Sequence, residues 1–328
     1  MQHEAPFLSD IANGAPDGRA FWLTTDDQVK IRVGVWNAQA GKGTVLLFPG
    51  RTEYIEKYAH AAADLSEAGY ATLAIDWRGQ GLADRLIDDP MIGHVAQFRD
   101  YQHDVAAALR AAQDMDLPQP WFLIAHSMGG GIGLRSLQEG LPVRGCVFTG
   151  PMWGILLAGG LRPVAWTLTR VSRMLGIGAT LSPGTRGTAY VTSEPFEDNT
   201  LTTDPTMYAF MQEQLNRHPE LSLGGPSMNW LHEALLDTRS IAQRPSPALP
   251  CLTYLGGNER IVDAARIRDR MAAWPDGNLI EVPGAEHEVL METPAIRNQV
   301  MAEIIGFFAT HGTTAQPSTP DGSERRTA

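Results

Sequence analysis

Apolar residues in this chain follow two alternating patterns: short unbroken runs, and longer stretches in which they recur every three or four positions. The unbroken runs are TVLLFPG (44–50), YATLAID (70–76), WFLIA (121–125) and GCVFTG (145–150). Runs of this length, rich in β-branched residues and bounded by Gly or Pro, predict strands buried on both faces. Between them, 53–68 (EYIEKYAHAAADLSEA, stopped by Gly69) and 96–114 carry helical spacing. Ahead of them, FWLTTDD and KIRVGVW read as paired strands, with Asp26 and Asp27 at the turn. The alternation returns late in the chain as strand 251–257, helix 263–273, strand 278–284 and helix 294–310. Strands alternating with helices predict an α/β protein whose mostly parallel sheet is covered on both faces.

Between about 151 and 244 the alternation breaks. This stretch holds Trp153, Trp166, Tyr190, Phe196, Tyr208, Phe210 and Trp230, has no clear apolar strand, and suggests two amphipathic helices at 163–175 and 204–217. It reads as a mostly helical cap inserted after the strand at 145–149. Residues 1–150 and 245–311 then form the core. The polar Pro/Ser/Thr-rich end, 312–328, is expected to be disordered.

Composition narrows the partners. With 26 basic and 37 acidic residues the formal charge is −11, which argues against nucleic acid, since phosphate binding needs Lys and Arg. Of 328 residues, 43% are hydrophobic and 19% charged, in keeping with a globular protein. No signal segment or membrane-length apolar run stands out, so the expected location is cytoplasmic. Cys146 and Cys251 sit in apolar runs and read as buried thiols. The histidines lack paired metal-ligand spacing, so neither a metal nor a cofactor is expected. DWRGQG (76–81) is not spaced as a dinucleotide loop and reads as a structural turn anchored by Asp76 and Arg78.

The chemistry concentrates at Ala125-His126-Ser127-Met128-Gly129, where a buried strand runs into helical spacing. This is the G-x-S-x-G nucleophile elbow with Ala in first place, and Ser127 is its nucleophile. The flanking positions must be small because strand and helix approach closely there. A serine hydroxyl needs a base, and in this arrangement the acid and then the histidine follow the serine in the chain. His287, in the loop after strand 278–282, is the expected base, whereas His126 should point away from the site. The acid belongs in GGNERIVD, where Glu259 is favoured and Asp263, better suited as a helix N-cap, is the alternative. The oxyanion donors are expected to be the backbone N–H groups of Met128 and of Arg51, since Pro49 has none.

PGRTEYIEKY, DWRGQG, AHSMGG, GGNERIVD and GAEHEVLME, in this order, resemble the α/β-hydrolase fold group that contains the bacterial L2-like lysophospholipases and monoacylglycerol lipases. The chain departs from that group's usual pattern at Pro49, at Ala125 and at Glu259, where Asp is common. The resemblance implies a serine hydrolase that cleaves carboxylic esters of monoacyl lipids through an acyl-enzyme, with 151–244 as cap over an acyl pocket. It implies a small-molecule ester or monoacyl lipid as partner, and peripheral contact with the inner membrane for access to it. Met152, Trp153, Leu156 and Leu157, directly after the strand tip, are the expected substrate-binding residues. The Arg51 side chain is a candidate for meeting a substrate phosphate. The competing readings are other chemistry on the same fold (cofactor-free haloperoxidase or C–C hydrolase) and a non-catalytic ligand-binding protein.

Overall fold

The computed structural model describes residues 3–14, 17–157 and 160–312. Its single sheet has nine strands among those residues: β1 (His3–Ala5), β2 (Arg19–Thr24), β3 (Lys30–Trp36), β4 (Thr44–Phe48), β5 (Ala71–Asp76), β6 (Trp121–His126), β7 (Cys146–Thr149), β8 (Cys251–Gly256) and β9 (Gly277–Val282). The order across the sheet is β1-β2-β3-β5-β4-β6-β7-β8-β9. The pairs from β1 to β5 are antiparallel, and every pair from β5 through β4 to β9 is parallel. The strand runs read from the sequence all fall on these strands. β1 lacked a sequence signal, because a three-residue HEA segment carries no periodicity.

The helices are α1 (Ala59–Glu67), α2 (Tyr101–Asp114), α3 (Ser127–Gln138), α4 (Leu161–Met174), α5 (Tyr190–Ser193), α6 (Pro205–Arg217), α7 (Met228–Ala242), α8 (Ala264–Ala272) and α9 (Pro294–Gly312). Alternate residues of each central strand feed opposite cores. Leu46, Phe48, Leu123 and Ala125 face one core together with α2, α3 and α7. Val45, Leu47, Phe122 and Ile124 face the other, under α1 and α9. Each large apolar side chain so enclosed contributes about 1.5–3 kcal/mol relative to exposure.

The described residues between β7 and β8 add no strand to this sheet. Two of their helices, α4 and α6, lie where amphipathic spacing put them. α7 was not foreseen: it buries residues all round, including Trp230, His232, Glu233 and Asp237, so its sequence shows no clean apolar stripe. Of the terminal segment 312–328 only Gly312 is described. The disorder expected for the rest lies outside the described residues.

Two loops at the carboxyl ends of the strands are held together by buried charge. Arg32, Glu56 and Asp76 have fully buried side chains, and Arg32 reaches both carboxylates at 2.7 Å. Asp76 also accepts the Ile55 N–H at 2.8 Å and the Leu82 N–H at 2.9 Å. The loop after β4 and the DWRGQG loop after β5 therefore share one anchor. Arg78 secures the second loop through Asp27 and Asp104. Asp76 and Arg78 are thus the structural anchors that the sequence suggested.

Candidate active site

Ser127 occupies the turn from β6 into α3 with φ +49°, a left-handed conformation that an L-residue adopts only under constraint. The constraint is close packing. A Cβ at position 129 would lie 2.2 Å from the Phe48 carbonyl oxygen, and one at 130 would lie 2.5 Å from the Pro151 Cβ. Only glycine lets α3 approach the ends of β4 and β7 this closely. Ala125, the departure from the usual elbow, is accommodated because Gly133 faces it one turn into α3. Even a Cβ at 133 would stand 3.2 Å from that of Ala125.

The same approach sets Met128 in the first turn of α3. N–H groups there lack intrahelical acceptors, and the helix dipole is positive. Facing it is the Pro49–Glu53 loop, braced from behind. Trp77 Nε1 donates to the Pro49 carbonyl at 2.9 Å. Gln80 Nε2 donates to the Gly50 and Glu53 carbonyls at 2.8 and 3.0 Å. The Gly50 N–H donates to the Glu53 carboxylate. The Arg51 N–H makes no hydrogen bond with another described residue. Arg51, Ser127 and Met128 line one cavity.

His287 lies in the loop after β9, and its Nδ1 is 2.7 Å from Glu259 Oε2. The other Glu259 oxygen accepts the Ile261 and Val262 N–H groups at 2.7 and 3.0 Å, which fixes the carboxylate's orientation. Asp263 caps α8 by accepting the Arg266 N–H and pairs with Arg162, so its side chain serves the helix rather than the imidazole. Burial raises the Glu259 pKa, but His287 and the two amides outweigh it and hold the group below its ordinary value. Burial likewise opposes a charge on His287. The Glu259 hydrogen bond and charge, with Glu288 and Glu53 behind, reverse that and raise its pKa above an ordinary imidazole's. His287 Nε2 is buried, makes no hydrogen bond within the described protein, and belongs to the cavity wall that includes Ser127.

His126 does not point away from the site. It lines the cavity, and its ring centre lies 4.8 Å from that of His287. Its Nδ1 is 2.9 Å from both the carbonyl and the hydroxyl of Thr149. Burial drives its pKa down to about 4, so it stays neutral near pH 7. Next to it is a buried ion cluster that sequence reading missed. Lys57 Nζ bridges Glu53 at 2.8 Å and Glu288 at 2.7 Å, and the Tyr58 hydroxyl donates to Glu53 at 2.6 Å. Burial works against the Glu53 charge, yet Lys57 and His126 hold that carboxyl at about 2. Burial pushes Glu288 upward, opposed by Lys57. Glu53, His126 and Glu288 are close enough to surround a cation, but the Lys57 ammonium already bridges the two carboxylates. Glu53 and Lys57, four residues apart, carry no sign of burial in the sequence, so spacing alone does not reveal this cluster.

The cavity holds about 600 Å³, within the range of small-molecule sites. Met152 lines it, together with Ile155, Val191, Met211, Leu215 and Leu223. Trp153 does not line it. The Met152 N–H donates to the Ser127 carbonyl, and Trp153 turns into the core, stacked 6.1 Å from Trp274 with Nε1 on the Gly130 carbonyl. Leu156 is half exposed and Leu157 partly buried, both outside the cavity wall.

The electrostatics predict an imidazole titration. By NMR, the His287 ring should titrate above pH 6.5, the ordinary value. Glu259→Gln removes the nearest of the anions that favour the charged ring, so the midpoint should fall. A midpoint that stays put would show that Glu259 does not act on His287.

The sequence matches the family described as Serine aminopeptidase, S33 over residues 39–294. Lysophospholipase L2 of Escherichia coli strain K12 is 32% identical over 312 residues, covering 89% of each chain. Monoacylglycerol lipase of Mycolicibacterium smegmatis is 26% identical over 296 residues, 86% of this chain and 94% of that one. A solved structure of a soluble variant of monoglyceride lipase from Saccharomyces cerevisiae, in complex with a substrate analogue, aligns with TM-score 0.71 at 22% identity. It covers 94% of this chain and 100% of that one. With the elbow, the buried His287–Glu259 pair and this fold, the chain belongs to the S33 family of α/β-hydrolases, in the group of the lysophospholipases and monoacylglycerol lipases.

Proposed function

We propose that the protein hydrolyses carboxylic esters of monoacyl lipids, of the lysophospholipid or monoacylglycerol type, through an acyl-enzyme on Ser127. The observation that carries this reading is one cavity lined by the strained Ser127, by His287 with Glu259 hydrogen-bonded behind it, and by an apolar wall. The Ser127 hydroxyl oxygen attacks the ester carbonyl carbon while His287 Nε2 takes its proton. Glu259 holds the imidazole by Nδ1–H and stabilises the imidazolium. The tetrahedral oxyanion faces the Met128 and Arg51 N–H groups. On collapse the C–O bond to the alcohol breaks, and His287 returns the proton to the leaving oxygen. Water then attacks the acyl-enzyme by the same route, releasing fatty acid. Residues 151–244 act as the cap: Met152, Ile155, Val191, Met211, Leu215 and Leu223 give an acyl chain an apolar bed.

The cap also supplies a route to lipid. Among the described residues no helix is long and apolar enough to cross a membrane. α4, however, exposes Leu161, Val164, Leu168 and Val171, with Leu175 just beyond its end, on one stripe at helical spacing, and Met174 is 79% exposed. Residues 161–177 contain three arginines and no acidic residue, in a chain of net charge −11; Arg162 and Arg173 pair with Asp263 and Glu233 on the protein, which leaves Arg170 to add positive charge. A basic amphipathic helix with a bare apolar face suits an anionic bilayer surface. We read this as a peripheral contact that presents monoacyl lipids to the cavity.

Two measurements check the reading. The wild type should release fatty acid from monoacylglycerol or lysophosphatidylcholine, and Ser127→Ala should lose at least about 10⁴-fold in kcat. Absence of release from every monoacyl lipid by the wild type would overturn it. In co-sedimentation, vesicles containing phosphatidylglycerol should retain the wild type, and Leu168→Asp with Leu175→Asp should weaken that binding about tenfold or more. Equal binding by the double variant would remove α4 from the account.

A further inference from the structure

The cavity is lined by three cationic side chains, Arg51, Lys57 and Arg186. Two are neutralised within the protein: Lys57 by Glu53 and Glu288, and Arg186 by Glu194. Arg51 is different. Among the described residues it forms no ion pair, its Nε is buried without a hydrogen-bond partner, and one Nη donates only to the Gly224 carbonyl. Its guanidinium lies 5.4 Å over the Trp230 ring. A guanidinium partly withdrawn from water without an anion is held at a cost, which a paired one such as Arg32 avoids. Burial accordingly lowers its pKa to about 10, with only Tyr101 opposing.

The surroundings are shaped to hold this group. A Cβ at Gly93 would lie 2.7 Å from an Arg51 Nη, so glycine there makes room for the guanidinium. The Gly93 N–H donates to the Gly225 carbonyl at 3.0 Å, and the Gly224 N–H to the Met91 carbonyl at 2.8 Å. These two strips of chain, hydrogen-bonded to each other, both touch the arginine, and its guanidinium lies against the Trp230 ring. The cavity's carboxylates, Glu53, Glu288 and Glu194, are committed to the other two cations.

We propose that Arg51 is a specificity-determining residue whose guanidinium receives the phosphodiester of a monoacyl substrate, so that the site favours lysophospholipids over uncharged monoacylglycerols. This rests on the ester-hydrolase reading above. The chemistry matches: guanidinium is planar, permanently charged, and offers a fork of donors to phosphate oxygens. In the reaction proposed above the Arg51 backbone N–H is an oxyanion donor, so one residue would serve both the reacting carbonyl and the charged head group.

The test compares kcat/KM for 1-acyl-lysophosphatidylcholine and 1-monoacylglycerol of the same acyl chain, in the wild type, Arg51→Met and Arg51→Lys. The phosphodiester should be preferred by the wild type. Arg51→Met should reduce that preference roughly 10- to 100-fold, the scale of a hydrogen bond to a charged group, and Arg51→Lys should recover part of it. A ratio unchanged in Arg51→Met would overturn the proposal. Failure of the wild type to cleave either lipid would instead overturn the ester-hydrolase reading. A second arm needs no variant: an ether-linked lysophosphatidylcholine should inhibit the wild type at lower concentration than the matching alkylglycerol. Equal inhibition by the two ethers would count against Arg51. So would inorganic phosphate inhibiting as strongly as the ether lysolipid, because the site would then read free phosphate rather than a lipid head group.

Discussion

The close approach of α3 to the carboxyl ends of β4 and β7 is the constraint on which the site depends. Gly129 sits against the Phe48 carbonyl and Gly130 against Pro151. No side chain fits in either gap. That contact drives Ser127 into its left-handed conformation, lifts it into the cavity, and points the positive end of α3 at the Pro49–Glu53 loop. The loop in turn cannot retreat, because Trp77 and Gln80 hold its carbonyls from behind and Asp76 holds the Ile55 amide that follows it. Strain at one residue is thus maintained by packing and hydrogen bonds around it, as expected where a backbone is over-determined. Ala125 is tolerated through Gly133 rather than in spite of the packing.

Charge in the cavity is divided into compartments. Glu259 acts on His287 from one side, with both its oxygens engaged. The Lys57 ammonium restrains Glu53 and Glu288 on another, so that three buried acids do not all bear on the imidazole at full strength. His126, between them, is kept neutral by burial, and its Nδ1 is hydrogen-bonded to Thr149. The cluster would destabilise the fold if one partner were removed, since a buried charge would lose its counter-ion. Its position beside His287 makes it part of the electrostatic setting of that imidazole as well as of the fold.

Most of the sheet could be read from the chain, because strands buried on both faces leave unbroken apolar runs that resemble little else. The meeting of Ser127 and His287 in one cavity could be anticipated for a different reason: elbow chemistry demands small residues in fixed places, and chain order constrains where a base can lie. Only geometry separates Glu259 from Asp263, since both lie in one loop: the first sits beside His287 and the second starts a helix. What stayed hidden involved residues that mean something only in three dimensions. Lys57 meets Glu288 across 231 positions of sequence. α7 is buried on most of its surface and so lacks the amphipathic signature. Trp153 was expected beside Met152 in the pocket, but successive residues leaving a strand point in opposite directions, and it turned into the core.

The central claim is that Ser127 is the nucleophile of this cavity. Labelling the intact protein with a fluorophosphonate and locating the adduct by mass spectrometry tests it most directly. The account predicts a single adduct on Ser127, absent in Ser127→Ala and slowed in His287→Ala. An adduct on another residue, or undiminished labelling of Ser127→Ala, would contradict it.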